Sequence, residues 1–303
     1  MAIRRGGLHW IVIICGFLIL TAMAADAGTS AKEQLGRLTE NEFRELQNKA
    51  RHGDSNAQAA LGVAYEEGIH VQKDVAAAIE WYRKAAQSDN AEVQHHLGLM
   101  YEEGRGVLQD FVEAARWYQK AATLGYAPAQ CNLGNLYQAG KGIPRDLEQA
   151  AKWYEVAARQ GDAQAETNLG YVYEHGQGVV RDDQQAVFWY RKAAEQGFSI
   201  AQRNLGVLYA IGQGVRADEA EALHWFQKAA AQGMSRALMN QAVLYMEGKQ
   251  IERDYAAAYK LLQQAAASKE PGADTMLKRC RELLEPDKTP ETETATAAQR
   301  KAR

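Results

Sequence analysis

Seven histidines, three cysteines and 38 acidic residues are the side chains of this 303-residue sequence best suited to bond-making chemistry. Their spacing argues against most of it. His95 and His96 form the one adjacent pair. Neighbours on a helix point about 100° apart, so the two rings cannot readily share a metal. There is no G-x-S-x-G, H-E-x-x-H or C-x-x-C, and no phosphate-binding glycine loop. Gly140-Lys141-Gly142 lacks the further glycine and hydroxyl that such a loop needs. An aspartate recurs at 74, 110, 146, 182, 218 and 254, a series that could suggest carboxylate catalysis. Each of these stands just before an amphipathic run, where a helix needs an N-cap. The sequence therefore predicts no catalytic residue, no metal and no cofactor.

What remains suits binding. Asn132, Asn168, Asn204 and Asn240 recur at one step, with His96 in the matching place. An Asn amide both donates and accepts, so such a ladder could bond an extended peptide backbone; bonds to neighbouring loop carbonyls are the alternative. Beside it runs a stripe of positions that vary from copy to copy. It opens with Glu66, Glu67, Glu92, His95, Glu102 and Glu103, and continues through Asn135, Gln138, Thr167, Tyr171, Glu174 and His175. It ends with Ile200, Arg203, Val207, Ile211, Met239, Val243 and Met246. The expected partner is a protein or peptide, basic where it meets the acids and apolar toward Val243 and Met246. A merely solvated face is the competing reading.

These residues are positioned by a repeat. Leu61, Leu97, Leu133, Leu169 and Leu205 are spaced by 36 residues, each followed directly by glycine. Tyr65, Trp81 and Asp74 found series with the same step, and no insertion breaks the register between residues 53 and 270. Each copy carries two helical patterns. Ala57, Leu61, Ala64 and Tyr65 share one face of a helix A, and Ala78, Trp81, Tyr82, Ala85 and Ala86 one face of a helix B. A G-x-G-V-x-x-D loop joins them. Asp110 with Glu113 and Asp146 with Gln149 resemble capping boxes. Gly125, Gly161, Gly197 and Gly233 stand where helix B should end. The glycine after each Leu is expected to let helix backbones approach closely.

The ends complete the organisation. Residues 1–24, with Arg4 and Arg5, an apolar run to Leu20 and Ala22-Met23-Ala24, read as a secretory signal peptide. An uncleaved inner-membrane signal anchor is the alternative, the only route by which a membrane becomes a partner. Residues 25–38 read as linker, 39–53 as an N-terminal capping helix opened by Thr39-x-x-Glu42, and 54–270 as six repeats. Residues 271–285 read as a C-terminal capping helix and 286–303 as a disordered tail. Net charge is −3 with pI near 6.2, which lacks the basic footprint of a nucleic-acid binder.

The pattern A-x-x-x-L-G-x-x-Y-x-x-G-x-G-V-x-x-D-x-x-x-A-x-x-W-Y-x-K-A-A resembles the Sel-1-like repeat, a branch of the tetratricopeptide-like superfamily. The sixth copy departs from it, with Gln241, Ala242, Gln250 and Leu261. The resemblance implies an all-α, right-handed α-solenoid of six 36-residue helix-turn-helix repeats with half-repeat caps. It also implies that the variable stripe lines a concave groove. The partner-binding residues expected there are His95, His96, Asn132, Asn135, Asn168, Tyr171, Arg203, Asn204, Asn240, Glu66, Glu67, Glu102 and Glu103. Exported members of the family act as adaptors in envelope assembly, signalling or host contact, which implies a periplasmic or secreted, non-enzymatic scaffold. Cysteine-rich relatives are associated with β-lactam binding or hydrolysis. This sequence lacks their cysteine pairs, so that role and a membrane-tethered organiser are the alternatives.

Overall fold

The structure, a computed structural model, describes residues 31–284. The signal-peptide and tail readings of residues 1–24 and 286–303 lie outside the described residues. Among the described residues all regular structure is α-helical. Six helix pairs follow one another in chain order. The A helices are α3 (Ser55–Glu67), α5 (Ala91–Glu103), α7 (Ala127–Ala139), α9 (Ala163–His175), α11 (Ser199–Ile211) and α13 (Ser235–Glu247). The B helices are α4 (Val75–Ala85), α6 (Phe111–Thr123), α8 (Leu147–Arg159), α10 (Asp183–Glu195), α12 (Glu219–Ala231) and α14 (Tyr255–Ala267). Before them stand α1 (Ala31–Gly36) and α2 (Glu40–Arg51), and after them α15 (Ala273–Leu284).

The chain divides after Ala157 into two compact units. In the first, α2 to α7 pack each on its chain neighbour, and the second repeats the arrangement from α9 to α15. This is the solenoid rule, in which every copy buries its apolar face against adjacent copies.

Local chemistry fixes the helix ends. The carboxylate of Asp110 accepts from the backbone N–H groups of Val112 and Glu113, and that of Asp182 from Gln184 and Gln185. At Thr39 and Glu42 both halves of a capping box are made. The A-to-B loop is clipped by a backbone bond from the N–H of that Asp to the carbonyl of the preceding Tyr. It measures 2.8 Å for Asp74 to Tyr65 and 3.0 Å for Asp182 to Tyr173. The clip fixes the length of chain between Tyr and Asp. Gly142 and Gly214 bear φ of +69° and +67°, and a Cβ on either would lie within 2.2 Å of the backbone opening the preceding B helix.

The core is a series of rings set on glycines. Tyr118, Tyr154 and Tyr190 are fully buried, and Phe226 nearly so. A Cβ built on Gly62 would lie 2.4 Å from the Tyr82 ring, on Gly98 2.4 Å from Tyr118, and on Gly206 2.6 Å from Phe226. The aromatic ring of the following B helix, rather than a neighbouring backbone, is therefore what demands glycine there. Trp117, Trp189 and Trp225 are buried beside it, each carrying a lysine ammonium 4.2–5.0 Å from its ring centre.

Residues 31–36, within the span read as linker, form α1 and bury Ala31 and Leu35. Two contacts dock it on the first repeat. Lys32 pairs with Glu67 at 2.5 Å, and His70 Nε2 lies 2.9 Å from the Leu35 carbonyl.

Candidate functional site

Four of the five acids at the head of the variable stripe are engaged inside the first unit. Glu66 is buried. One of its oxygens accepts from the Tyr82 hydroxyl at 2.8 Å and from His96 Nε2 at 2.9 Å, and the other meets Arg105 Nη1 at 2.7 Å. Burial works to raise its pKa, but His96, Arg105 and Tyr82 outweigh it and hold the carboxyl at about 2. Glu102 accepts from the Tyr118 hydroxyl at 2.6 Å. Glu67 is taken by Lys32, and Glu103 lies 3.2 Å from Arg105 Nε. Glu92 is also buried, and burial alone pushes its carboxyl up to about 7. Of these acids Glu66 and Glu92 are buried, and Glu67 and Glu103 remain exposed.

His95 and Asn132 meet nearby. Asn132 Nδ2 donates to His95 Nε2 at 3.0 Å and also bonds the Tyr118 hydroxyl. Burial, with a smaller contribution from His96, depresses the His95 pKa to about 3, so the ring stays neutral and can accept. Asn135 Oδ1 accepts from Tyr154 at 2.8 Å. The ladder in this unit is hydrogen-bonded within the fold.

The second unit is built alike, and each unit leaves buried polar atoms without a partner, among them Arg105 Nη2 and His95 Nδ1 in the first. Asn204 bonds the Tyr190 hydroxyl and accepts from Arg203 Nη1 at 3.0 Å. Asn168 also has a partner. Tyr190 donates to Glu174 at 2.8 Å. Arg236 pairs with Glu270 at 2.8 Å. Two buried donors, Arg203 Nε and Asn240 Nδ2, have no hydrogen-bond partner. Burial and the nearby Arg236 both lower the Arg203 pKa.

This unit also exposes apolar surface along the same face. Ile200 and Ile211 are 48% and 62% exposed, and with Arg203 and Val207 they form one stripe along α11. Tyr171 of α9 is 39% exposed and stacks on His175 with ring centres 4.1 Å apart. Met239 and Met246 instead pack on the cluster of Ala242, Leu262 and Cys280. The structure therefore separates residues that the sequence grouped: Glu66 and Glu92 are buried and Glu67 and Glu103 are exposed, while Tyr171, Ile200 and Ile211 reach the surface.

Spacing put Tyr82 on the packing face of helix B, but not that Tyr82, Tyr118, Tyr154 and Tyr190 bond the stripe's polar groups. A signal for them existed. Where Tyr gives way to Phe226, the acid one loop earlier gives way to Ala210.

Among the described residues no group of His, Cys, Asp and Glu is placed to hold a metal ion. None of the described helices is long and apolar enough to cross a membrane.

The Sel1 repeat model matches residues 55–90, 91–126, 127–162, 163–198, 199–234 and 235–269. The crystal structure of c5321, a protective antigen of uropathogenic Escherichia coli displaying an SLR fold, is 36% identical with a TM-score of 0.74. The match covers 80% of this chain and 52% of that one, so this chain spans about half of c5321. A Sel1 repeat protein from Oxalobacter formigenes is 32% identical with a TM-score of 0.64, over 74% of this chain and 94% of that one. Yeast Tom70, 14% identical with a TM-score of 0.51 over 93% of this chain and 72% of that one, shares the fold alone. No curated protein matches the chain.

Proposed function

The chain belongs to the Sel1 repeat family, and from that premise we propose that it is an exported protein-interaction scaffold. Proteins built on this fold generally serve as protein–protein interaction scaffolds and are typically non-enzymatic. In this reading the A-helix face of the second unit receives a segment of a partner protein in envelope assembly, signalling or host contact. One observation carries it. The α11 stripe leaves Ile200 and Ile211 in solvent around a half-buried Arg203. Exposed apolar side chains flanking a polar anchor are the composition of a binding patch. The leader-like residues 1–24 support export.

A photo-crosslinking residue placed singly at Ile200, Ile211 and Tyr171 in living cells tests the reading. The same residue at Leu108, a loop position 91% exposed, is the control. One common protein captured from the three face positions and absent from the control is expected. Equal capture from all four positions, or none from the face, would refute it.

A further inference from the structure

Helix α1 packs on α3 and stands outside the repeat pattern. The half-repeat that closes the array is α2, whose Phe43 and Ala50 pack with Ala57, Leu61 and Ala64 of α3. α1 is additional to it and meets other α3 positions. Leu35 is fully buried in a cluster with Ala59, Ala60 and Val63, and Lys32 pairs with Glu67 at 2.5 Å. Positions 59, 63 and 67 are those that Arg203, Val207 and Ile211 hold in α11. In the first copy α1 thus lies along the stripe that α11 leaves open to solvent at Ile211.

The first copy departs from the others where it meets α1. The second copy has His95 and His96 in place of Ala59 and Ala60, and the four after it keep Asn at the second of these places. Two methyl groups instead of two large polar side chains leave room for Leu35. His70 stands where the next four copies have Gly106, Gly142, Gly178 and Gly214. It shares their left-handed backbone, with φ of +57°, a conformation unfavourable for a residue with a side chain. The side chain is used: His70 Nε2 donates to the Leu35 carbonyl at 2.9 Å, and the ring stacks on Phe43 with centres 4.8 Å apart. The hold on α1 is nevertheless light. Of its six residues Ala31 and Leu35 are buried, and the Lys32–Glu67 pair is open to water, where such pairs contribute little. A helix this short does not persist without its seat.

We propose that this face of α3 is a docking site for a short helix carrying a lysine three residues before a leucine, and that α1 is its tethered occupant, displaced by a partner helix of that composition. The leucine fills the seat beside Ala59 and Ala60, and the lysine meets Glu67. Tethering gives α1 an effective concentration of about millimolar order, so it excludes dilute competitors and yields to a partner that binds better or is itself held close. The site is separate from the α11 stripe and does not depend on that stripe receiving anything.

The test uses the purified full-length chain and a fluorescein-labelled peptide of residues 29–38, Thr-Ser-Ala-Lys-Glu-Gln-Leu-Gly-Arg-Leu amide, read by fluorescence anisotropy. Leu35→Asp in the chain ejects α1 and should raise peptide affinity at least about tenfold over wild type, the factor expected if α1 is docked about nine-tenths of the time. The peptide carrying Leu35→Asp itself should not bind. His70→Gly cuts the tie to the Leu35 carbonyl and relieves the backbone. It should raise peptide affinity several-fold without lowering Tm, which keeps the test decisive if Leu35→Asp folds poorly. No gain in affinity from either variant would make α1 a fixed cap and overturn the site. Equal binding of the Leu35→Asp peptide would overturn it as well.

Discussion

The hydroxyl of Tyr82 donates to Glu66 at 2.8 Å, and the repeat either copies that pairing or drops both halves together. Tyr118 bonds Glu102, Tyr154 bonds Gln138 and Tyr190 bonds Glu174, each across 16 residues. Phe226 faces the copy with Ala210, and Leu262 the copy with Met246. The polar member on helix A is there to receive a buried phenol, and where the phenol goes the acceptor goes.

Tyr190→Phe should accordingly cost about 1 kcal/mol by stripping Glu174 and Asn204 of a partner. Glu174→Ala together with Tyr190→Phe should cost less than the two single changes added. Urea denaturation of the four chains gives the coupling directly. Strict additivity would mean the pair does not act as one.

Gly98→Ala should destabilise by about 1–3 kcal/mol, the range for overpacking a core, because its Cβ would stand 2.4 Å from the Tyr118 ring. The sixth copy carries Ala242 with Leu262 at the same two places, both fully buried. Thus Gly98→Ala made in a Tyr118→Leu background should add almost nothing. A full penalty there would place the conflict elsewhere than the ring.

The pH dependence of the first unit has two opposing parts. Glu92 rises from 4.5 to about 7, so between those values the folded chain holds a proton that the unfolded chain releases. Its contribution to stability therefore falls as pH rises through that window. Glu92→Gln should raise Tm at pH 8 and leave it unchanged at pH 4, by an amount equivalent to about 1–3 kcal/mol. His95, lowered from 6.5 to about 3, works the other way: stability is full above 6.5 and declines as pH falls. Glu66, lowered from 4.5 to about 2, adds to the acid loss below 4.5. A Glu92→Gln gain equal at both pH values would contradict the assignment.

Trp189→Ala should cost about 3–5 kcal/mol as a buried aromatic truncation. Lys192 also pairs with buried Glu166, so the comparison is Lys228→Met, which removes the ammonium 4.5 Å from the Trp225 ring centre and should cost no more than about 1 kcal/mol. Thermal melts of the two variants separate packing from cation–π attraction. Similar losses would mean the lysine matters more than its geometry allows.

Export carries a separate expectation. Protein recovered from the cell should begin at Ala25, or at Gly28 if Ala25-Asp26-Ala27 is the site used. Intact-mass measurement finding Met1 retained on soluble cytoplasmic protein would overturn it.

The repeat and its helices were legible because Tyr65 and Asp74 recur in all six copies and Leu61 and Trp81 in the first five, all in one register, and each has a local job that sequence displays. Asp74 caps its own helix, and Tyr65 offers the carbonyl that clips the loop. The candidate site was less legible. Helical periodicity groups Glu66, Glu102 and Arg203 as helix-A stripe positions, yet it cannot say which stripe residues another helix covers. Glu66 lies where Tyr82, His96 and Arg105 converge from three different segments, a tertiary event invisible to spacing. Tyr171, stacked on His175, and Ile200 stay exposed. The glycine series was seen as a close approach, but the ring that approaches was identified only by the fold.

The fit of Tyr118 on Gly98 also bears on how such an array can change over generations. A methyl group gained at the glycine collides, and a ring lost at the tyrosine leaves a void. Either step alone passes through a weaker protein. The two positions are therefore coupled, and a change at one favours a matching change at the other. Four copies keep glycine under tyrosine and a fifth keeps it under Phe226, the smallest departure that still fills the space. Only Ala242 and Leu262 have made the crossing, and they made it together.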